Sequence, residues 1–158
     1  MYRIDFTATV RKSVTLTLFA LFLLACIFSL MIGSAFHIAE PPESYLGISA
    51  AAETAEQRVA FLRTLGYSPI PESEECEEIT IPAVFGDVYK RYNDLQALSG
   101  GDLSLYKSAE CSRYTYTDAE TARRLNLIVY KGRVIGGDEC TAAIDGEMLP
   151  LTRKSDQA

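Results

Sequence analysis

Tryptophan is absent from this sequence, and histidine occurs once, as His37. That excludes Ser-His-Asp and Cys-His arrangements from everything beyond residue 37, because both need an imidazole to take the nucleophile's proton. Cysteine is sparse too: Cys26, Cys76, Cys111 and Cys140. The last three lack the paired, close spacing of a zinc site, so no metal ligands are assigned. No acidic loop has calcium-ligand spacing with its required glycine. Gly136-Gly137-Asp138 lacks the lysine and helix start of a phosphate-cradling loop, so no cofactor is expected. Positive charge is the minority, with 15 Lys and Arg against 21 Asp and Glu. Residues 38–158 hold 20 of those acids and 12 of those bases, a net of −8. Such a surface is repelled by phosphate backbones, and nucleic acid is not an expected partner.

What is present is, first, a long uncharged run. Residues 13–36 contain no Asp, Glu, Lys or Arg, and Leu, Phe, Ile and Ala dominate them. As a helix, 24 residues at about 1.5 Å each reach roughly 36 Å, enough for a hydrocarbon core of about 30 Å. A transmembrane anchor over 13–36 is therefore expected. Arg11 and Lys12 precede it and Glu40 and Glu43 follow it. By the positive-inside rule, residues 1–12 stay cytoplasmic and the rest lies outside, at the cell membrane. Two other kinds of processing are compatible with the same residues. Gly33-Ser34-Ala35 has the small residues of a signal-peptidase site, and Leu23-Leu24-Ala25-Cys26 loosely resembles a lipidation motif.

Residues 37–53, with Pro41-Pro42, Ser44, Gly47 and Ser49, read as a linker. The folded domain is expected over 54–151 and a disordered tail over 152–158. Thr54 and Gln57 form a capping box for a first helix. Val59, Leu62 and Leu65 make its apolar stripe, and Gly66 ends it. Five carboxylates fall in the seven residues 72–78, running into Ile79-Thr80-Ile81. This is either a site for a cation or basic partner, or an edge strand whose charges discourage aggregation, and the edge strand is the favoured reading. Pro82 suits the first position of a second helix with Phe85, Val88, Tyr92 and Leu95 on one face. Strands then follow at 112–117 and 125–130, with a Lys131-Gly132 turn, a return strand from Arg133, and a last one over 148–151. Gly136-Gly137 marks a bulge or a close backbone approach. Short turns force antiparallel neighbours. The expected fold is α+β: the anchor, then a two-layer domain with both helices on one face of an antiparallel sheet of about four strands.

Several segments together resemble an uncharacterised bacterial family, domain of unknown function 4830, of clostridial-type Firmicutes. They are residues 54–62 with Gly66, residues 79–82, 92–96, 102–106 and 113–116, the run 126–138, and Ile144-Asp145-Gly146. Tyr67 and Glu147 depart from the pattern, which has Trp and an aromatic residue there. The resemblance implies a Gram-positive cell-envelope protein with an N-terminal membrane segment and assigns no activity.

No catalytic residues are assigned. The expected function is a non-catalytic extracytoplasmic binding or protein-interaction module with a partner in the envelope. The alternative is a hydrolase-like enzyme with a carboxylate-based site. Nine tyrosines are the one unusual abundance. Tyr114, Tyr116, Tyr130, Gly136 and Gly137 form the candidate interaction surface if that face is open; the favoured reading is that helices cover it and the tyrosines are core. Cys111 and Cys140 could bridge neighbouring strands in an oxidising compartment.

Overall fold

The computed structural model describes residues 21–24, 38–141 and 146–156 of the 158. From residue 38 the chain order is β1 (Ser44–Tyr45), β2 (Ile48–Ser49), α1 (Ala55–Thr64), β3 (Pro69–Thr80), α2 (Asp87–Ala97), β4 (Glu110–Asp118), β5 (Arg124–Tyr130), β6 (Arg133–Cys140) and β7 (Met148–Pro150). Single 3-10 turns lie at Leu103–Tyr106 and Lys154–Asp156. Strands β3 to β7 form one antiparallel sheet in sequence order, and β1 pairs with β2 in a separate hairpin. Two tight turns set the registers. Leu46-Gly47 joins β1 to β2 and Lys131-Gly132 joins β5 to β6, with positive φ at all four residues. Such turns match the right-handed twist of the strands they join.

This corrects the expected fold. The domain is mostly sheet, with five strands and a separate hairpin in place of about four strands. The helices lie on opposite faces. Val59, Phe61, Leu62 and Leu65 of the α1 region pack with Tyr116, Leu125, Leu127 and Val129. Tyr89 and Tyr92 of α2 pack instead with Cys111, Ile128, Tyr130 and Ile135. Alternation along β5 explains it: Leu125, Leu127 and Val129 point one way and Ile128 and Tyr130 the other. A strand apolar on both sides needs both faces covered. The expected transmembrane helix is also not found: among the described residues no helix is long and apolar enough to cross a membrane. Leu21–Leu24 are helical and exposed. The rest of 13–36, including Cys26 and the 33–35 cleavage motif, lies outside the described residues, as does 142–145.

The linker and tail expectations also change. Ile38 onward belongs to the folded unit. Tyr45, Ala50 and Ala52 are buried, Val134 N–H donates to the Ala50 carbonyl and Ala52 N–H to that of Gly132. At the other end Leu151 is buried, and the Lys154 ammonium reaches Asp118 and Glu120.

Helix α1 starts as its capping box indicates. The Gln57 amide donates to Thr54 Oγ1, and Gln57 Oε1 accepts from the Thr54 amide. Helix α2 differs from expectation in start and phase. It begins at Asp87 with Gly86 as N-cap, leaving residues 82–86 non-helical. Its inward face carries Tyr89, Tyr92 and Gln96, while Val88 is 76% exposed. A polar residue wins the inner position because Gln96 Oε1 accepts from the Gly137 amide at 2.7 Å. A buried amide needs that acceptor more than a valine needs burial.

Candidate interaction surface

Strand β3 is an edge of the sheet, twelve residues long, against three for β7 at the other edge. Its inner side pairs with β4 at 69–70 and again at 75–80. Between them residues 71–74 bulge opposite the single residue Tyr116. Ser73 holds the bulge, its hydroxyl donating to the Ile70 carbonyl and accepting from the Thr117 amide. Among the described residues no strand covers the outer side of β3.

The glutamates of this strand are matched by arginines brought from elsewhere. Glu77 pairs with Arg113 and Glu75 with Arg124 on one face. Glu78 accepts from the Ser112 hydroxyl on the other. These Arg–Glu pairs are exposed and worth little to stability, so an incoming cation can replace the arginine at small cost. Among the described residues no cluster of acids, cysteines or His suits a metal ion.

Glu74 differs. Its Oε1 accepts from Arg58 Nη2 at 2.9 Å and its Oε2 from Arg58 Nε at 3.3 Å, and it takes a further hydrogen bond from the Tyr116 hydroxyl. Arg58 is 5% exposed, donates to the carbonyls of Ala52 and Glu53, and stacks 3.6 Å from the Tyr114 ring centroid. Burial pushes the Tyr116 phenol up, and its bond to Glu74 adds to that. This cluster fixes the start of α1 against β3 and β4.

An open groove of about 470 Å³ lies beside it. Ala55, Glu56, Val59, Ala60 and Arg63 of α1 form one wall, and Pro71 of β3 forms the other. The sheet contributes only its edge strand, so the groove opens where the sheet ends. Two further clefts hold one carboxylate or none. Pro42, Leu98, Leu105, Tyr106, Ile135 and Asp102 line one of about 440 Å³. Beside it the Tyr45 phenol, with Ser99 next to it, is pushed up to about 12 by burial. The other lies between α1 and β2, over Ile48, Ala51 and Phe61.

The residues singled out from sequence do not form one surface. Tyr116 is fully buried and Tyr114 half-buried on the α1 face, while Tyr130 meets Tyr106 on the α2 face. Gly136 looks toward Gln96 and Leu103, and Gly137 toward Leu127 and Leu151. Cys76, Cys111 and Cys140 are free thiols. Cys140 stands opposite Arg124, which stands opposite Thr117, six positions from Cys111 on β4. At about 3.4 Å per residue that separation far exceeds the roughly 7 Å a disulfide can span. Burial pushes the Cys111 thiol up to about 11. Cys76 is exposed on β3.

A polar network lies beneath α2. Asp138, 2% exposed, accepts from the Tyr92 hydroxyl and the Asn126 amide, each at 2.7 Å. Thr115 Oγ1 donates to Asn126 Oδ1. Burial raises the Asp138 carboxyl, outweighing those hydrogen bonds and the attraction of Arg113. A raised acid pKa means the folded state keeps a proton that the unfolded chain sheds near pH 3.9, so stability falls as pH rises through that window and then levels off. Asp138→Asn removes this slope. Urea midpoints measured from about pH 4 to pH 8 should show the variant gaining on the wild type as pH rises. A constant difference would mean that Asp138 titrates like an ordinary carboxylate.

The fold and this edge define a sheet-dominated, acidic domain with a covered core and one long open strand. No family model, curated protein or solved structure matches the chain.

Proposed function

We propose that this chain is a non-catalytic interaction module of the cell envelope that engages a protein partner along β3. The observation that carries this reading is the long edge strand left open beside an apolar groove. An edge strand presents backbone donors and acceptors that another chain can pair with. An envelope location rests on the sequence alone: the uncharged run 13–36, the basic residues before it, and the resemblance to domain of unknown function 4830.

Photo-crosslinking in cells tests the reading. A benzophenone amino acid at position 72, exposed in the β3 bulge, should give one discrete adduct. The same group at position 97, exposed at the end of α2, should not. Equal adduct patterns from both positions, or none from position 72, would remove β3 as the working surface.

A further inference from the structure

The partner's chemistry can be read from the same edge, and this step rests on the reading proposed above. We infer that β3 receives an extended peptide of alternating basic and apolar residues, which adds as a sixth strand along residues 75–80 and seats one apolar side chain in the groove between α1 and Pro71. Three observations converge on this occupant. The regularly paired part of β3, residues 75–80, is about 20 Å long at roughly 3.4 Å per residue, enough for a peptide of about six residues. The groove lies beside the 71–74 bulge, so a chain leaving the paired segment at that end runs into it. Its wall residues Val59, Ala60 and Pro71 are apolar and its rim carries Glu56 and Arg63.

Charge then selects among extended peptides. Glu75, Glu77 and Glu78 project from the paired segment, with Glu72 in the bulge. The first two are 67% and 60% exposed, and their arginine partners approach from the β4 side, leaving the outer side of each carboxylate to solvent. A second copy of this chain would bring a second acidic edge and be repelled. Pro69, Pro71 and the bulge add to that protection against self-pairing. Lysine or arginine at alternate positions of a foreign strand would meet Glu75 and Glu77 on one face of the lengthened sheet. Intervening apolar residues would fall on the face where α1 stands.

The test uses the full-length chain in mild detergent and a fluorescein-labelled heptapeptide of alternating lysine and valine, followed by fluorescence anisotropy. Saturable binding is expected, weakening steeply with added salt. The peptide N-methylated on alternate residues, so that it cannot pair along one edge, should bind at least about tenfold more weakly. So should the glutamate-valine peptide. The variant Ala60→Gln fills the groove from an exposed helix position, and Glu75→Gln/Glu77→Gln removes the exposed carboxylates that the lysines meet. Each should weaken the lysine-valine peptide about tenfold while leaving the thermal midpoint near that of the wild type. Absence of binding, indifference to N-methylation, or equal binding of the acidic peptide would overturn the inference. Crosslinking at position 72 separates the two levels. An adduct there without peptide binding sinks this peptide chemistry and leaves the interaction surface standing. No adduct sinks both.

Discussion

Arg58→Ala should cost the domain about 3 kcal/mol, read as a lower urea midpoint with an unchanged slope. The arginine is the hub of the buried cluster: it reaches Glu74 through Nε and Nη2, donates to Tyr116 and two carbonyls, and sits over the Tyr114 ring. Truncation leaves the Glu74 carboxylate, 26% exposed, without its counter-charge and the buried Ala52 carbonyl without a donor. The cost comes mainly from those stranded groups rather than from the pair's own attraction. Glu74→Gln should therefore cost less than Arg58→Ala, because Arg58 keeps its carbonyl partners. The double variant Arg58→Met/Glu74→Gln should recover part of the loss, since methionine refills the space over Tyr114 and no charge is stranded. Arg113→Ala, at an exposed pair, should cost no more than about 1 kcal/mol. If Arg58→Ala proves equally mild, the cluster is not what fixes α1 to the sheet.

Gly137→Ala should be comparably damaging, for a different reason. A Cβ there would lie 2.7 Å from the Asn126 carbonyl oxygen and 2.9 Å from Leu151 Cδ2. Asn126 belongs to β5, the middle strand of five, so that oxygen cannot retreat without disturbing pairs on both sides. Overpacking of this kind costs about 1–3 kcal/mol, and the upper end applies where the obstacle is backbone. For a domain of this size the thermal midpoint should fall by roughly 10 °C. Gly136→Ala makes the control. Its nearest obstacle is Gln96 Oε1 at 2.8 Å, the end of a flexible side chain. That side chain can swing away at the expense of its hydrogen bond to Gly137, a loss of about 1 kcal/mol. A result in which Gly136→Ala is the worse of the two would contradict the packing of β6 against β5.

Local chemistry made some elements legible. Thr54 and Gln57 specify the α1 start because the capping box uses only residues three apart. Lys131-Gly132 specifies the turn because both residues take positive φ. Helix α2 was legible in existence but not in phase. Phe85, Val88, Tyr92 and Leu95 have helical spacing, yet Gln96 turns inward and Val88 outward. The deciding partner, the Gly137 amide, lies 41 residues away. Residues 37–53 carry proline, glycine and serine and look like a linker. Three small or aromatic residues there, Tyr45, Ala50 and Ala52, are core. Alanine runs give no periodicity that would reveal this.

The candidate surface was half visible. Glutamates at 72, 74, 75, 77 and 78 point to an exposed edge, and β3 is one. The arginines that meet them come from α1, β4 and β5, and the groove needs α1 placed over Pro71. No local pattern supplies either. The tyrosines stayed open to two readings, surface or core, because alternation fixes faces within a strand but does not say how many faces the helices cover. Tyr116 and Tyr130 ended on opposite sides.

By itself the sequence determined an acidic domain without histidine, the α1 cap, the β5–β6 turn and the charged character of one strand. These depend on composition or on neighbours a few residues apart. Only the tertiary structure decided that the helices cover opposite faces, that β3 is left at the edge, and that Arg58 meets Glu74 above Tyr116. Those outcomes depend on which apolar faces find each other across the whole chain, and long-range burial outweighs local preference wherever the two compete.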